Sequence, residues 1–213
     1  MLAAGLAFST GGDLFPRQPI KVASMHSDRN IEYRYTSEVL GEENRFCAVF
    51  PTGYEAKAAP RPALYFLHGV GRHHLSVMED ADLQKNTAGR ALVTLFPRGR
   101  VGWYIDSPVL EKSRYQSMLT ELIDICENEF NICRTAEGKA ICGWSMGGFG
   151  SMHYVQQHPG QFKAVAVMIA LIDFPNPTLP PNQNHAIPEL MGTDAAYWST
   201  LNPLRQLEKI TNI

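Results

Sequence analysis

The sequence predicts an α/β fold in which a mostly parallel sheet is flanked by helices. Three apolar runs, at residues 63–67, 91–96 and 163–171, are short and continuous, as in strands that are buried on both faces. A stretch with helical periodicity lies between the second and the third run. Strands that alternate with helices are joined by right-handed crossovers, and such crossovers make the strands parallel.

The first predicted elements form an antiparallel hairpin at the N-terminal side of the sheet. Residues 31–39 and 44–50 alternate in character and flank a turn at residues 40–43. The segment 51–62 that follows is rich in alanine and proline. It therefore predicts a surface connection to the first buried strand.

The later elements are buried strands and one amphipathic helix. The strand at 91–96 is closed by Pro97, which lacks the N–H that the interior of a central strand requires. Between residues 115 and 130, apolar side chains recur every three or four positions and predict a helix with one buried face. These side chains are Tyr115, Leu119, Leu122, Cys126 and Phe130.

Length and composition limit the number of domains and the classes of partner. A chain of 213 residues with 45% hydrophobic content is expected to bury the core of one domain, which we assign to residues 31–213. Nineteen basic and twenty-one acidic residues give a formal charge of −2 without a basic stripe, so no nucleic-acid partner is expected. No apolar run approaches the ~20 residues that cross a membrane, so no membrane partner is expected either.

Residues 1–30 are predicted to be an N-terminal extension. Residues 1–8 are apolar and rich in small side chains, like the end of a secretory signal peptide, but they lack its basic start. The location is therefore open between secreted or periplasmic and cytoplasmic. The four cysteines lack Cys-x-x-Cys spacing and are expected to be free thiols, mostly buried, with a Cys126–Cys133 disulfide as the alternative in an exported protein.

The strongest functional signal is the sequence Gly143-Trp-Ser145-Met-Gly147, which follows an apolar run at 139–142. Gly-x-Ser-x-Gly between a strand and a helix is the pattern of a nucleophile elbow, a sharp turn that exposes a serine hydroxyl. The two glycines are required because side chains at their positions would obstruct the strained turn. The alternative interpretation is a glycine-rich turn that contains a serine by chance.

A second pattern lies upstream, where the run at 63–67 ends in His68-Gly-Val70-Gly. In an esterase with a nucleophile elbow, a His-Gly loop after the third strand supplies one of two backbone N–H groups that bind the oxyanion. The residue after the nucleophile supplies the other. These two donors would be Val70 and Met146, whereas His68 is expected to hydrogen-bond its own loop rather than to transfer protons.

Taken in order, these motifs resemble the esterase family of the α/β-hydrolases that includes esterase D (S-formylglutathione hydrolase), feruloyl and acetyl-xylan esterases, and the mycolyl-transferase antigens. The similarity runs from about residue 31 to the C-terminus. Its most specific part is Ser-Met-Gly-Gly at 145–148 with a His-Pro pair at 158–159. The other matching segments are 65–71, 102–108 and 115–122.

The resemblance implies an α/β-hydrolase fold and a serine carboxylic-ester hydrolase that acts through an acyl-enzyme at Ser145. No cofactor is implied, and the chain shows no His-x-x-x-His, paired cysteine or clustered carboxylate pattern that would bind a metal. The substrate would be a small-molecule or carbohydrate-linked ester. One alternative is an acyltransferase on the same scaffold, and another is a non-catalytic member that only binds a partner.

The acid and the histidine of the catalytic triad are less evident. In this fold both follow the serine in sequence, and the resemblance places them beyond Ile213. We therefore expect that the chain is truncated, that the last strands of the sheet are missing, and that the open sheet edge leads to self-association. The alternative is a triad of Ser145, Asp173 and His185 within the chain. If that triad does not form, Asp173 is expected to cap a turn.

Two further features are expected near the site. The loop at 174–188 carries five prolines and is predicted to form a wall of the substrate pocket. Asp106 precedes the nucleophile, against the order of the triad, so we expect it to make a structural hydrogen bond in its own loop.

Overall fold

The computed structural model describes residues 19–179 and 187–210, which contain one seven-stranded sheet. The strands are β1 (Lys21–Met25), β2 (Asn30–Ser37), β3 (Glu42–Val49), β4 (Ala63–Leu67), β5 (Val93–Pro97), β6 (Lys139–Trp144) and β7 (Ala164–Met168). Their order across the sheet is β1-β2-β3-β5-β4-β6-β7. The first three strands and the β3–β5 pair are antiparallel, and β5, β4, β6 and β7 are parallel. The predicted α/β architecture is confirmed.

Helices connect the parallel strands, and two more helices follow β7. They are α1 (Ser76–Glu79), α2 (Ala81–Ala88), α3 (Tyr115–Glu129), α4 (Met146–Gln157), α5 (Pro188–Met191) and α6 (Ala195–Leu201), with 3₁₀ turns at Ala136–Gly138 and Pro203–Lys209. The larger core cluster contains side chains of α3 and α4, whereas Leu83 of α2 packs against a smaller cluster around Phe96.

The predicted hairpin is confirmed, but its turn begins two residues earlier than expected. The turn spans residues 38–41, and the N–H of Gly41 donates to the carbonyl oxygen of Ser37 at 2.9 Å. Gly41 has a φ of +67°, a conformation that a glycine adopts without steric cost. The turn is therefore placed by this glycine rather than by the two glutamates that follow it.

Strand β1 lies inside the segment that the sequence predicted to be an extension. It pairs antiparallel with β2 at one edge of the sheet, so the sheet begins before residue 31. Lys21 and Val22 are exposed and no residue of β1 is fully buried. An edge strand with so little burial leaves no continuous apolar run for sequence analysis to detect. Residues 1–18 lie outside the described part of the chain.

Helix α3 covers the sheet with the face that its periodicity predicted. Four of the five side chains of the predicted face are buried in the helix, and they are Tyr115, Leu119, Leu122 and Cys126. Phe130 follows the end of the helix and packs beside Tyr33, with ring centroids 5.3 Å apart. The predicted helix and its buried face are therefore confirmed.

Strand β7 is an edge of the sheet within residues 19–179 and 187–210. It pairs only with β6 among the described strands, and alternate residues of β7 are exposed. The chain that follows carries Ile169, which is 88% exposed. An unpaired, uncharged edge is a template for pairing with another chain. Self-association through this edge stays a prediction.

The cysteines are free, as expected. Cys47, Cys126 and Cys142 are buried and Cys133 is partly exposed. Burial raises the pKa of Cys47 and of Cys142 to about 12, so these thiols stay protonated and pack as small hydrophobes.

Among the described helices, none has the length and hydropathy of a membrane span.

Candidate active site

Strand β6 turns directly into helix α4 at Ser145. This residue has φ 54° and ψ −118°, which is strained for any residue other than glycine. Its N–H donates to the carbonyl oxygen of Met168, at the end of β7, at 2.8 Å. Its carbonyl oxygen accepts from the N–H of Phe149 in α4 at 3.0 Å. These two hydrogen bonds hold the serine in its strained conformation at the carboxyl end of the strand.

Two glycines allow α4 to begin directly on the sheet. A Cβ atom at Gly147 would lie 2.0 Å from the carbonyl oxygen of Leu67 in β4. A Cβ atom at Gly143 would lie 2.3 Å from the carbonyl carbon and oxygen of Gly147. Contacts this short are sterically excluded, and the groups that would have to move are backbone atoms of β4 and of α4. The glycine spacing seen in the sequence therefore has a direct steric basis.

Sheet register brings the second motif beside the first. Strands β4 and β6 are parallel neighbours, and Leu67 is paired with Gly143. The loop that follows Leu67 and the elbow that follows Gly143 consequently leave the same edge of the sheet side by side. Ligands of open α/β sheets bind at this carboxyl edge.

His68 fixes the start of the loop after β4. Its Nδ1–H donates to the carbonyl oxygen of Gly69 at 2.9 Å, and its Nε2 accepts from the N–H of Gly99 at 3.0 Å. Burial lowers the pKa of His68 to about 4, so the ring is neutral near pH 7. Because both ring nitrogens are occupied, His68 has the structural role that the sequence favoured over proton transfer.

Val70 and Met146 are the two predicted oxyanion donors. Val70 lies in a turn that is closed by a hydrogen bond from the N–H of Arg72 to the carbonyl oxygen of Gly69, at 3.2 Å. Met146 is the first residue of α4, where an N–H has no acceptor within the helix. Neither N–H donates to any group among the described residues. Both are therefore free to bind a ligand oxygen.

Arg72 joins this loop to the elbow. The guanidinium carbon of Arg72 lies 5.6 Å from the centroid of the Trp144 ring, within the range of a cation–π contact. The same ring lies so close to Gly69 that a Cβ atom there would be 3.0 Å from Trp144 Cδ1. The residue before the serine thus packs directly against the loop that carries Val70.

A buried hydrogen bond between His74 and Glu32 fixes the end of the loop. Oε1 of Glu32, in β2, lies 2.8 Å from Nε2 of His74 and 3.3 Å from a guanidinium nitrogen of Arg45. Burial lowers the pKa of His74. Burial alone would raise the pKa of Glu32, but hydrogen bonds from His74, Ser24 and Arg45 lower it overall. Glu32 and His74 are 42 residues apart and share no sequence motif, so this contact was not predicted.

The hydroxyl of Ser145 makes no hydrogen bond to any other residue in 19–179 or 187–210. Each histidine in those ranges contacts another group. These pairs are His26 with Ser24, His68 with Gly99, His73 with Glu79, His74 with Glu32, His153 with Gln116 and His158 with Tyr154. The remaining histidine, His185, lies outside the described residues.

Asp173 holds the turn that follows β7. One carboxylate oxygen accepts from the side-chain amide of Asn176 at 2.7 Å, and the other accepts from that of Asn202 at 3.0 Å. This is the turn-capping role that the sequence offered as the alternative to an acid role. The triad of Ser145, Asp173 and His185 stays a prediction.

Asp106 makes the structural hydrogen bonds that were expected of it. Its carboxylate accepts from the N–H and the hydroxyl of Ser117, in the first turn of α3, at 3.0 and 2.5 Å. Negative charge at this end of a helix is favourable.

Within the described ranges, no group of three or more His, Cys, Asp or Glu residues could hold a metal ion.

An open cleft of about 820 Å³ begins at Val70. Its other apolar lining residues are Leu40, Val101, Trp103, Leu110, Tyr115, Ile187 and Leu190. The described ends of the proline-rich loop lie beside it, since Ile187 lines the cleft and Phe174 packs on Trp103 with ring centroids 4.6 Å apart. For these two ends the placement agrees with the prediction that the loop at 174–188 borders the pocket, whereas residues 180–186 lie outside the described part of the chain.

Two buried histidines are expected to make the fold sensitive to acid. Burial lowers the pKa of His68 and of His153 to about 4, while an unfolded chain protonates histidine near 6.5. Between these values the unfolded state binds more protons. The free energy of unfolding should therefore fall on acidification from pH 6.5 to 4, by up to ~3 kcal/mol per pH unit for the pair.

Urea unfolding measured at pH 7.0, 6.0 and 5.0 checks this expectation. The variant His153→Gln should lose part of the pH dependence, because the protonation difference of His153 is removed while that of His68 remains. Equal stability at the three pH values would contradict the assignment of both histidines as buried neutral groups.

Comparison with known proteins places the chain among esterases. A family model described as "Putative esterase" matches residues 37–208. An esterase of Mycobacterium tuberculosis is 26% identical over 139 residues, which cover 63% of this chain and 30% of that protein. The S-formylglutathione hydrolase of Paracoccus denitrificans is 27% identical over 155 residues, which cover 63% of this chain and 54% of that protein. The chain thus spans about a third to a half of the length of these curated relatives.

A solved structure shows the same fold. The S-formylglutathione hydrolase from Agrobacterium tumefaciens superposes with a TM-score of 0.73 at 23% identity, and the match covers 88% of this chain and 74% of that one. At this level of identity the likeness concerns the fold, which is that of an α/β-hydrolase.

Proposed function

The chain belongs to the esterase family whose model it matches, and on this premise we propose that it is a carboxylic-ester hydrolase with Ser145 as its nucleophile. The observation that carries the proposal is the elbow itself. A serine in a strained turn presents a hydroxyl without a hydrogen-bond partner among the described residues, beside two unpaired backbone N–H groups. Such strain has no advantage for a serine with a purely structural role, whereas in a nucleophile the strained turn exposes the hydroxyl to the substrate.

In the proposed acylation step, a histidine removes the proton of the Ser145 hydroxyl while Oγ attacks the carbonyl carbon of the ester. The electron pair of the carbonyl moves to its oxygen, where the N–H groups of Val70 and Met146 stabilise the negative charge. The C–O bond to the alcohol then breaks, and the histidine returns the proton to the departing oxygen. A water molecule then attacks the carbonyl carbon of the acyl-enzyme by the same steps, and the acid is released.

The source of the histidine is tested by His185→Gln. A loss of turnover of about 10³-fold or more would assign the base to His185 and make Asp173 the acid to replace next. Unchanged turnover would exclude His185 as the base. Asp173→Asn belongs in the same experiment, with thermal melting as its control, because Asp173 also holds Asn176 and Asn202.

Replacing Val70 by proline should remove one oxyanion donor. Loss of a single donor typically lowers kcat by about 10²–10³-fold, and KM should change much less because the donor acts mainly on the developing charge. The matched control is Val70→Ala, which keeps the N–H and should retain kcat on a short acetate ester. Equal kcat values for the two variants, with both folded by circular dichroism, would show that Val70 is not a donor.

A further inference from the structure

We propose that the cleft beside Val70 binds a bulky, uncharged, apolar arm of the substrate ester. This inference rests on the proposed esterase function and adds to it the class of substrate. It is carried by the position, lining, charge and size of the cleft.

Position comes first, because the cleft and the proposed oxyanion site share the residue Val70. Val70 contributes its backbone N–H to that site and its side chain to the cleft wall. A group attached to the carbonyl that the Val70 N–H binds therefore needs only to pass this one residue to enter the cleft. The segment after β5 also lines the cleft, through Val101 and Leu110.

The lining is apolar and open to solvent in the absence of a ligand. Val101 is 66% exposed, Val70 is 55% exposed and Leu110 is 48% exposed. Single exposed apolar side chains are ordinary, but three that face one cleft form a patch of the kind that marks a ligand groove. An apolar ligand group would remove this surface from water.

The charged residues of the cleft cancel one another. Glu42 and Arg100 form an ion pair of 2.7 Å, and the two other charged lining residues, Lys112 and Glu189, have opposite signs. A carboxylate or phosphate in the ligand would therefore meet no net positive charge. The cleft favours a neutral occupant.

Size excludes a small acyl group as the natural occupant. A cleft of about 820 Å³ is within the ~300–1,000 Å³ typical of sites that bury a drug-sized ligand. A formyl or acetyl group would leave most of the apolar wall in water. Each additional buried methylene should improve binding, at ~0.8 kcal/mol when it is fully buried.

Two series of esters test the proposal and identify which arm enters the cleft. The acyl series compares p-nitrophenyl acetate, butyrate and octanoate, and the alcohol series compares phenyl acetate with 1-naphthyl acetate, whose leaving groups differ in size but are similar in acidity. We expect kcat/KM to rise at least ~10-fold with size in one of the series. A rise in the first places the acyl arm in the cleft, and a rise in the second places the alcohol arm there. No rise in either series overturns the proposal.

The variant Leu110→Ser tests whether the preference for large esters depends on the cleft. Leu110 is 48% exposed, so the substitution should leave the fold intact while lowering the large-to-small preference several-fold. The matched control is Leu207→Ser, since Leu207 is 50% exposed but does not line the cleft. An unchanged preference in Leu110→Ser would contradict the assignment of this wall.

The experiment also separates this proposal from the one on which it rests. If no ester of either series is hydrolysed and a fluorophosphonate probe does not label Ser145, the proposed esterase function fails. If p-nitrophenyl acetate is hydrolysed and Ser145 is labelled, but size has no effect, only the proposal about the cleft fails.

Discussion

Replacing Ser145 by alanine is expected to lower ester hydrolysis on the order of 10⁴-fold or more while leaving the fold intact. The reason is chemical, because alanine cannot form the acyl-enzyme and the remaining catalysis comes only from substrate binding and the two N–H donors. Alanine meets the same backbone strain at φ 54°, so the melting temperature should change little. The effect should appear in kcat, since the hydroxyl acts on the reacting carbonyl and contributes little to binding.

Turnover of short aryl esters and labelling by a fluorophosphonate probe measure this effect independently. The probe should label the wild-type protein at Ser145 and fail to label Ser145→Ala. The matched control is Ser199→Ala on α6, whose hydroxyl bonds only the carbonyl of Ala195 in its own helix. Wild-type turnover in Ser145→Ala would mean that another group is the nucleophile.

Replacing Gly147 by alanine is expected to destabilise the fold by about 3 kcal/mol or more, near the upper end of what overpacking causes. Helix propensity alone predicts the opposite, since alanine in a helix is favoured over glycine by roughly 1 kcal/mol. The new Cβ would lie 2.0 Å from the carbonyl oxygen of Leu67, so α4 would have to move away from β4. That movement would also shift Ser145 away from Val70, and turnover should fall with stability.

Urea unfolding of Gly147→Ala beside Gly89→Ala isolates the steric cause. Gly89 caps α2 in a right-handed conformation, and the nearest atom to an added Cβ there is 3.9 Å away. Gly89→Ala should therefore stay within ~0.5 kcal/mol of the wild type. Equal stability of the two variants would contradict the close approach of α4 to β4.

The features that the sequence could predict depend on local geometry. The strand at Ala63–Leu67 and the helix from Tyr115 were predicted because burial on two faces, or on one helical face, leaves a periodic pattern. The elbow was predicted because a strained turn requires glycines at fixed offsets from Ser145. In each case a few neighbouring residues carry the whole physical constraint.

The features that it could not predict depend on contacts between distant segments. Glu32 and His74 meet only because β2 and the loop after β4 are brought together by the sheet, so neither residue carries a local signal. The cleft is likewise assembled from separate segments that include Leu40, Val101 and Ile187. Helix α2 was missed for a different reason, since its sequence ADLQKNTA has too few apolar residues to form a periodic face.

The strained backbone at position 145 bears on the history of this chain. A glycine there would adopt a positive φ freely, whereas other residues incur a cost of roughly 1–3 kcal/mol. In a lineage that had lost its chemistry, selection would act on stability alone, and substitution towards glycine would be favoured. If Ser145 is the nucleophile that we propose, selection for its hydroxyl explains why a serine is kept in this conformation. The strained serine therefore favours a catalytic ancestry over descent as a binding protein.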